Sequence, residues 1–150
     1  MTKLLVTDVG GRYVGWLSTE VGEVLPAPEP TPLPEPYPPL LGTAFLGGSP
    51  VTLVDTATLL GGRRDSPPRL LLRLAPPLGH LGFPVAKVEE VLTYEPLALR
   101  DEEASGVWAG LYPWGEGWVS VVNAASTARA LTAAVSTAIG RQTSGSDHAP

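Results

Sequence analysis

Two stretches of this chain carry one pattern of apolar and polar positions. Residues 13–25 read YVGWLSTEVGEVL and residues 80–92 read HLGFPVAKVEEVL, so Gly15, Trp16, Val21, Glu23, Val24 and Leu25 stand opposite Gly82, Phe83, Val88, Glu90, Val91 and Leu92. The offset is constant and needs no gap: 82 − 15 = 67. A second apolar run, residues 51–57 (VTLVDTA), stands opposite residues 119–125 (VSVVNAA), offset by 119 − 51 = 68. Two segments in the same order at nearly the same spacing imply a duplicated unit.

The elements follow from the same pattern. Lys3–Val9 is apolar and β-branched, Gly10-Gly11 supplies a turn, and Tyr13–Leu17 pairs back as a hairpin. Glu20–Leu25 predicts a further strand with Val21, and with it Val24, turned inward. Residues 26–39, PAPEPTPLPEPYPP, lack too many N–H donors to join a ladder and read as extended loop. The prolines recur mostly every second residue, out of step with the three-residue period of a polyproline ligand, so the loop reads as a stiff connection. Leu40–Leu46 and Val51–Val54 are predicted strands around the turn Gly47–Pro50, and Thr56–Leu60 makes a helical turn before Gly61-Gly62. Arg63–Pro68 is a polar connector between the two copies. Arg69–Leu74 then opens the second round, Thr93–Ser105 is a polar loop, and residues 106–112 and 118–122 are the last strands. Beyond Asn123 the period changes to three and four residues at Ala124, Ala128, Leu131, Val135 and Ile139, which predicts an amphipathic helix over 124–139 capped by Asn123 or Ser126 and closed at Gly140. Residues 141–150 are expected to be a disordered tail.

Composition narrows the function. With 43% hydrophobic and 17% charged residues the chain can fold around a core, and 17 Gly with 17 Pro divide it into short strands. A net charge of −5 with ten scattered Lys and Arg argues against nucleic acid as a partner. The absence of cysteine excludes disulfides, thiol catalysis and Cys-ligated zinc. No window is apolar enough to cross a bilayer or resembles a secretory leader, so a soluble, cytoplasmic protein is expected, with no membrane insertion.

Candidate chemistry is sparse. The only histidines are His80 and His148, and the acids Glu95, Asp101, Glu102 and Glu103 read as a solvated loop, because adjacent acids point apart. No phosphate cradle or nucleophile elbow stands in its required context. Neither a catalytic residue, nor a metal site, nor a cofactor is expected. Of the four tryptophans, Trp16 is expected in the core, since its counterpart Phe83 is also aromatic, and Trp114 is expected to be the exposed one.

The arrangement resembles the CheW-like domain, the coupling module of bacterial chemosensory arrays. Tyr13-Val14-Gly15 with Val21-Gly22-Glu23-Val24 follows the family's first strand pair, the prolines follow from Pro26, and residues 42–48 (GTAFLGG) with 52–55 (TLVD) stand where the family has G-x-x-N-L-R-G and P-V-x-D-L. Residues 81–91 (LGFPVAKVEEV) match the second-half pattern V-G-L-x-V-D-x-V-x-E-V, and the likeness runs collinearly from about residue 3 to 130. Phe45-Leu46-Gly47-Gly48 lacks the family's arginine, Thr52 replaces its proline, and Ala86 replaces the second-half Asp. The resemblance implies an all-β fold of two SH3-like five-stranded β-barrels with a C-terminal helix, subdomain 1 spanning about 10–66 and subdomain 2 about 67–123 plus the N-terminal strand. It further implies a non-enzymatic adaptor between a histidine kinase regulatory domain and a chemoreceptor cytoplasmic tip, located at receptor arrays and serving chemotaxis or pilus-driven motility. The implied receptor groove is Val21, Glu23, Leu70 and Leu81; the implied kinase contact is Leu41, Gly42 and Gly48. Two other readings stand beside it: a divergent module of this fold serving another protein, and a small enzyme or ligand carrier using the inter-barrel cleft with Glu23 and His80.

Overall fold

Ten short strands form among the described residues, and a glycine or proline ends several of them, as at Gly10, Pro26, Gly47 and Gly115. The computed structural model describes residues 1–35, 37–63 and 67–133. The strands are β1 (Lys3–Val9), β2 (Arg12–Leu17), β3 (Val21–Pro26), β4 (Leu40–Leu46), β5 (Ser49–Val54), β6 (Leu70–Leu74), β7 (Leu81–Val85), β8 (Lys87–Thr93), β9 (Trp108–Trp114) and β10 (Gly117–Val122). A single-turn helix, α1 (Thr56–Leu60), follows β5, and a helix α2 follows β10, described over 124–133. The predicted remainder of α2 and the predicted tail lie outside the described residues.

The strands build two five-stranded sheets with orders β8-β1-β2-β10-β9 and β3-β6-β7-β5-β4. These are one order written twice, since β1, β2, β8, β9 and β10 take the places of β6, β7, β3, β4 and β5. The duplication extends to single hydrogen bonds. Thr31 and Thr43 exchange N–H···O bonds of 2.7 and 2.9 Å, and Arg100 and Leu111 do so at 2.8 and 3.2 Å. Asp55 N–H donates to Pro39 O at 2.6 Å, and Asn123 N–H donates to Val107 O at 2.7 Å. The helix caps repeat as well: an Asp55 carboxylate oxygen accepts from Thr58 N–H at 3.3 Å, and Asn123 Oδ1 accepts from Ser126 N–H at 3.0 Å, each satisfying an orphan donor of the helix that follows. Even the bulges coincide, at Val21/Glu23 in β3 and opposite Val88 and Glu90 in β8.

The subdomain boundaries read from the sequence need correction. The first sheet takes β1 and β2 from one repeat and β8–β10 from the other, while the second sheet is continuous in sequence from β3 to β7. The chain changes sheets inside each copy of the repeated motif, through a 3-10 turn at Ser18–Glu20 and again at Ala86, whose N–H donates to Asp8 O at 2.8 Å. A break at 66/67 would therefore cut through the barrel formed by β3–β7. Periodicity along a strand reports which face is apolar and says nothing about which sheet receives it.

Each sheet curls around its own small core, as in an SH3-like subdomain. Leu4, Val6, Tyr112, Val119 and Val121 fill the first, and Ala44, Val51, Leu53 and Leu71 fill the second. A third and larger cluster lies between the sheets and includes Val9, Val14, Trp16, Leu72, Leu74, Leu81, Phe83 and Val122, closed by Ala124, Ala128 and Leu131 of α2. At its centre Trp16 and Phe83 meet with ring centroids 5.1 Å apart. Repeat partners that touch each other are the mark of a self-complementary interface. The alanines of α2 allow the helix to approach closely, and Ala124, Ala128 and Leu131 are spent on the body of the protein.

Candidate functional site

β3 is an edge strand, bonded to β6 on one side only, and it carries two of the four residues assigned to the receptor groove. Val21 opens the strand and rests half-buried on the shared core, paired with Leu74. Glu23 faces outward, where its Oε1 lies 3.3 Å from Arg73 Nη1. Arg73 is itself anchored, since its Nε–H donates to Gly79 O at 2.7 Å. Val24, expected inward, is 43% exposed.

Leu70 lies on the adjacent strand but at its other end, paired with Pro26 and Val85. Four residues of strand put it roughly 13 Å from the Val21 end. The fourth residue must be withdrawn from the groove. Leu81 is fully buried, because β7 is the central strand of its sheet and turns this side chain into the shared core. Val21, Glu23 and Leu70 thus form a surface along the β3/β6 edge, apolar at both ends with an ion pair between.

The three residues assigned to the kinase contact do not form one patch. Leu41 is half-buried against the core of the second barrel and borders a cleft of about 210 Å³ shared with Val9, Pro84 and Val85. Gly42 is buried with φ +151, and a Cβ there would overlap the Thr31 carbonyl. It has no surface to offer a partner. Gly48 is exposed in the β4–β5 turn, beyond four further strand residues that span roughly 13 Å.

Several exposed apolar residues were not anticipated. Phe45, on edge strand β4, is 75% exposed, and the equivalent valines Val24 and Val91 are 43% and 56% exposed. Phe45 was legible in principle, because it stands out of phase with Leu40, Gly42 and Ala44. The tryptophan expectation is reversed. Trp118 is 48% exposed, whereas Trp114 is half-buried against the first barrel's core, edge-on to Tyr13 and donating Nε1–H to Glu90 at 3.2 Å.

Glu20 sits where the chain passes from β2 to β3 and accepts a hydrogen bond from the Ala124 N–H at the start of α2. Burial raises its pKa above the usual carboxylate value of 4.5, and the bond from Ala124 only partly offsets that. The folded state therefore favours the protonated form. This contribution to stability is fully present below pH 4.5 and is lost as pH rises through the higher folded pKa. Glu20→Gln keeps an acceptor for Ala124 and is expected to unfold at a higher temperature than the parent at pH 7 and at the same temperature at pH 3.5. A gain that persisted at pH 3.5 would assign the effect to something other than ionisation.

Glu23 is held by Arg73, His80 is exposed with its carbonyl accepting from Thr52 N–H at 2.8 Å, and among the described residues no three His, Asp or Glu side chains converge on a metal position. No helix among the described residues is long and apolar enough to cross a membrane.

Similarity to solved structures decides the architecture. The chain is similar to the scaffolding protein TtCheW from Thermoanaerobacter tengcongensis, with a TM-score of 0.72 over 81% of this chain and 84% of that one, at 18% identity. The chain has a CheW-like fold. No family model matches the sequence, and no curated protein matches it. A CheW-like fold at this level of identity keeps the hydrogen-bonded frame and the core volumes while surface side chains drift, which is how packing constrains sequence.

Proposed function

We propose that this protein is a non-catalytic adaptor of a chemosensory array, joining a chemoreceptor cytoplasmic tip to the regulatory domain of a histidine kinase on the cytoplasmic side of the membrane. The observation that carries the reading is the likeness, over most of both chains, to a protein described as a scaffolding protein. The receptor would lay an apolar helical stripe along Val21 and Leu70, beside the Glu23–Arg73 pair, and burial at about 25 cal/mol per Å² would drive association before its entropic costs. Leu41 and the β4–β5 hairpin would meet the kinase, and the array would serve chemotaxis or pilus-driven motility.

Val21→Asp tests this directly. Val21 is only half-buried at the start of an edge strand, so the variant is expected to keep its circular-dichroism spectrum and lose at least tenfold in affinity for a receptor hairpin tip in a pull-down with purified components. Unchanged affinity would remove β3 from the receptor surface.

A second reading is favoured by one observation. The hairpin tip where the family carries arginine is here Phe45-Leu46-Gly47-Gly48, with Phe45 75% exposed and the two glycines at φ +59 and +80. An apolar, cation-free tip suits a partner other than an array kinase. Under this reading the kinase domain fails to bind while Phe45→Ser abolishes capture of the other partner.

A further inference from the structure

The turn between β1 and β2 and the end of α1 face each other across a polar hollow of about 350 Å³ lined by Gly10, Gly11, Arg12, Gly61, Gly62 and Arg63. We propose that this hollow is an oxyanion site for a phosphate group, gripped by the Arg12 and Arg63 guanidinium groups. Among the described residues that line it, the two arginines carry the only charges, in a chain whose formal charge is −5. Neither makes an ion pair with a described carboxylate.

Arg12 is positioned for this work. Its guanidinium lies 4.6 Å over the Trp108 ring, one Nη is 3.4 Å from Ser120 Oγ, and the group reaches Gly61, whose Cβ would come within 2.8 Å of it. The face of the fork is thus held by stacking while most of its five N–H donors are left for a ligand, the geometry that suits bidentate phosphate recognition. Arg63 is tied by its main chain, N–H to Gly10 O at 2.8 Å, which leaves its side chain exposed at the rim. Gly10 and Gly62 admit no Cβ, since one would strike the main chain of Arg63 and the other that of Val9, so the floor is bare backbone. The Gly11 N–H is already given to Asp8 Oδ1 at 2.8 Å, so the guanidinium groups rather than backbone amides supply the attraction. Gly10 and Arg63 also border the cleft lined by Val9, Leu41, Pro84 and, on one side, Asp55 and Thr56, so an organic substituent on the phosphate has a largely apolar wall beside it.

The test is titration of the full chain with inorganic phosphate at constant ionic strength, chloride serving as control, followed by amide chemical shifts and calorimetry. Saturable shifts at Gly10, Gly11, Gly61 and Gly62 are expected, at least tenfold weaker in Arg63→Gln and in Arg12→Lys, which keeps the charge and loses the fork. Arg63 is exposed, so its variant separates loss of the site from loss of the fold. Co-sedimentation with phosphatidic acid vesicles, and not with phosphatidylcholine vesicles, would assign the phosphate to a lipid headgroup; phosphate shifts without sedimentation would assign it to a soluble ligand. Absence of phosphate-specific shifts, or shifts unchanged in both variants, would overturn the proposal.

Discussion

Trp16→Ala is expected to remove about 3–5 kcal/mol of stability, the range for truncating a large buried aromatic side chain. Trp16 is 2% exposed at the centre of the shared core, and its Nε1–H donates to Thr7 Oγ1 at 2.9 Å. Thr7 is fully buried and passes its own proton to Val14 O at 2.9 Å, so losing the indole leaves a buried acceptor without its donor as well as a void. For a domain stabilised by roughly 5–15 kcal/mol this is a fifth of the total or more. Urea unfolding measures it. Trp118→Ala, which removes an exposed ring stacked by Arg100 at 5.0 Å, should cost about 1 kcal/mol or less. Equal midpoints for the two variants would contradict the placement of Trp16 at the seam.

Gly42→Val is expected to be the second large effect, and it bears on how binding data should be read. Its φ of +151 lies in a region that costs a side-chain-bearing residue about 1–3 kcal/mol, and the new Cβ would also displace the Thr31 carbonyl. The Thr31–Thr43 bridge, which covers the outer edge of β4, should open, and hydrogen exchange at the Thr43 amide should accelerate by at least tenfold. Gly110→Val should do the same at Leu111, since Gly110 has φ +147 and faces the Arg100 carbonyl in the same way. A kinase-binding defect at Gly42 would then report a disturbed fold rather than a lost contact. Slow exchange preserved at Thr43 would restore Gly42 as a candidate contact.

The duplication was fully legible because it lives in spacing. The offsets of 67 and 68 found among Gly15, Trp16, Val51 and their counterparts recur in the sheet order, in the bulges and in the caps at Asp55 and Asn123. The exchange of strands between sheets was not, because β2 reads the same to either neighbour. Surface assignments fared unevenly for a related reason. Leu70 and Leu81 are both leucines opening a strand, yet one strand is penultimate and the other central, and only the three-dimensional order of strands separates a half-exposed side chain from a buried one.

That exchange sets a timetable for synthesis. The barrel built from β3–β7 holds all its strands once residue 85 is outside the ribosome, but the hairpin of β1 and β2, made first, has no other sheet partner until residues 87–122 arrive. Loop closure over that distance is slow compared with local pairing. The nascent chain should therefore carry one finished barrel with an oily ribbon waiting beside it, and that interval is when the protein is most exposed to chaperones and to aggregation.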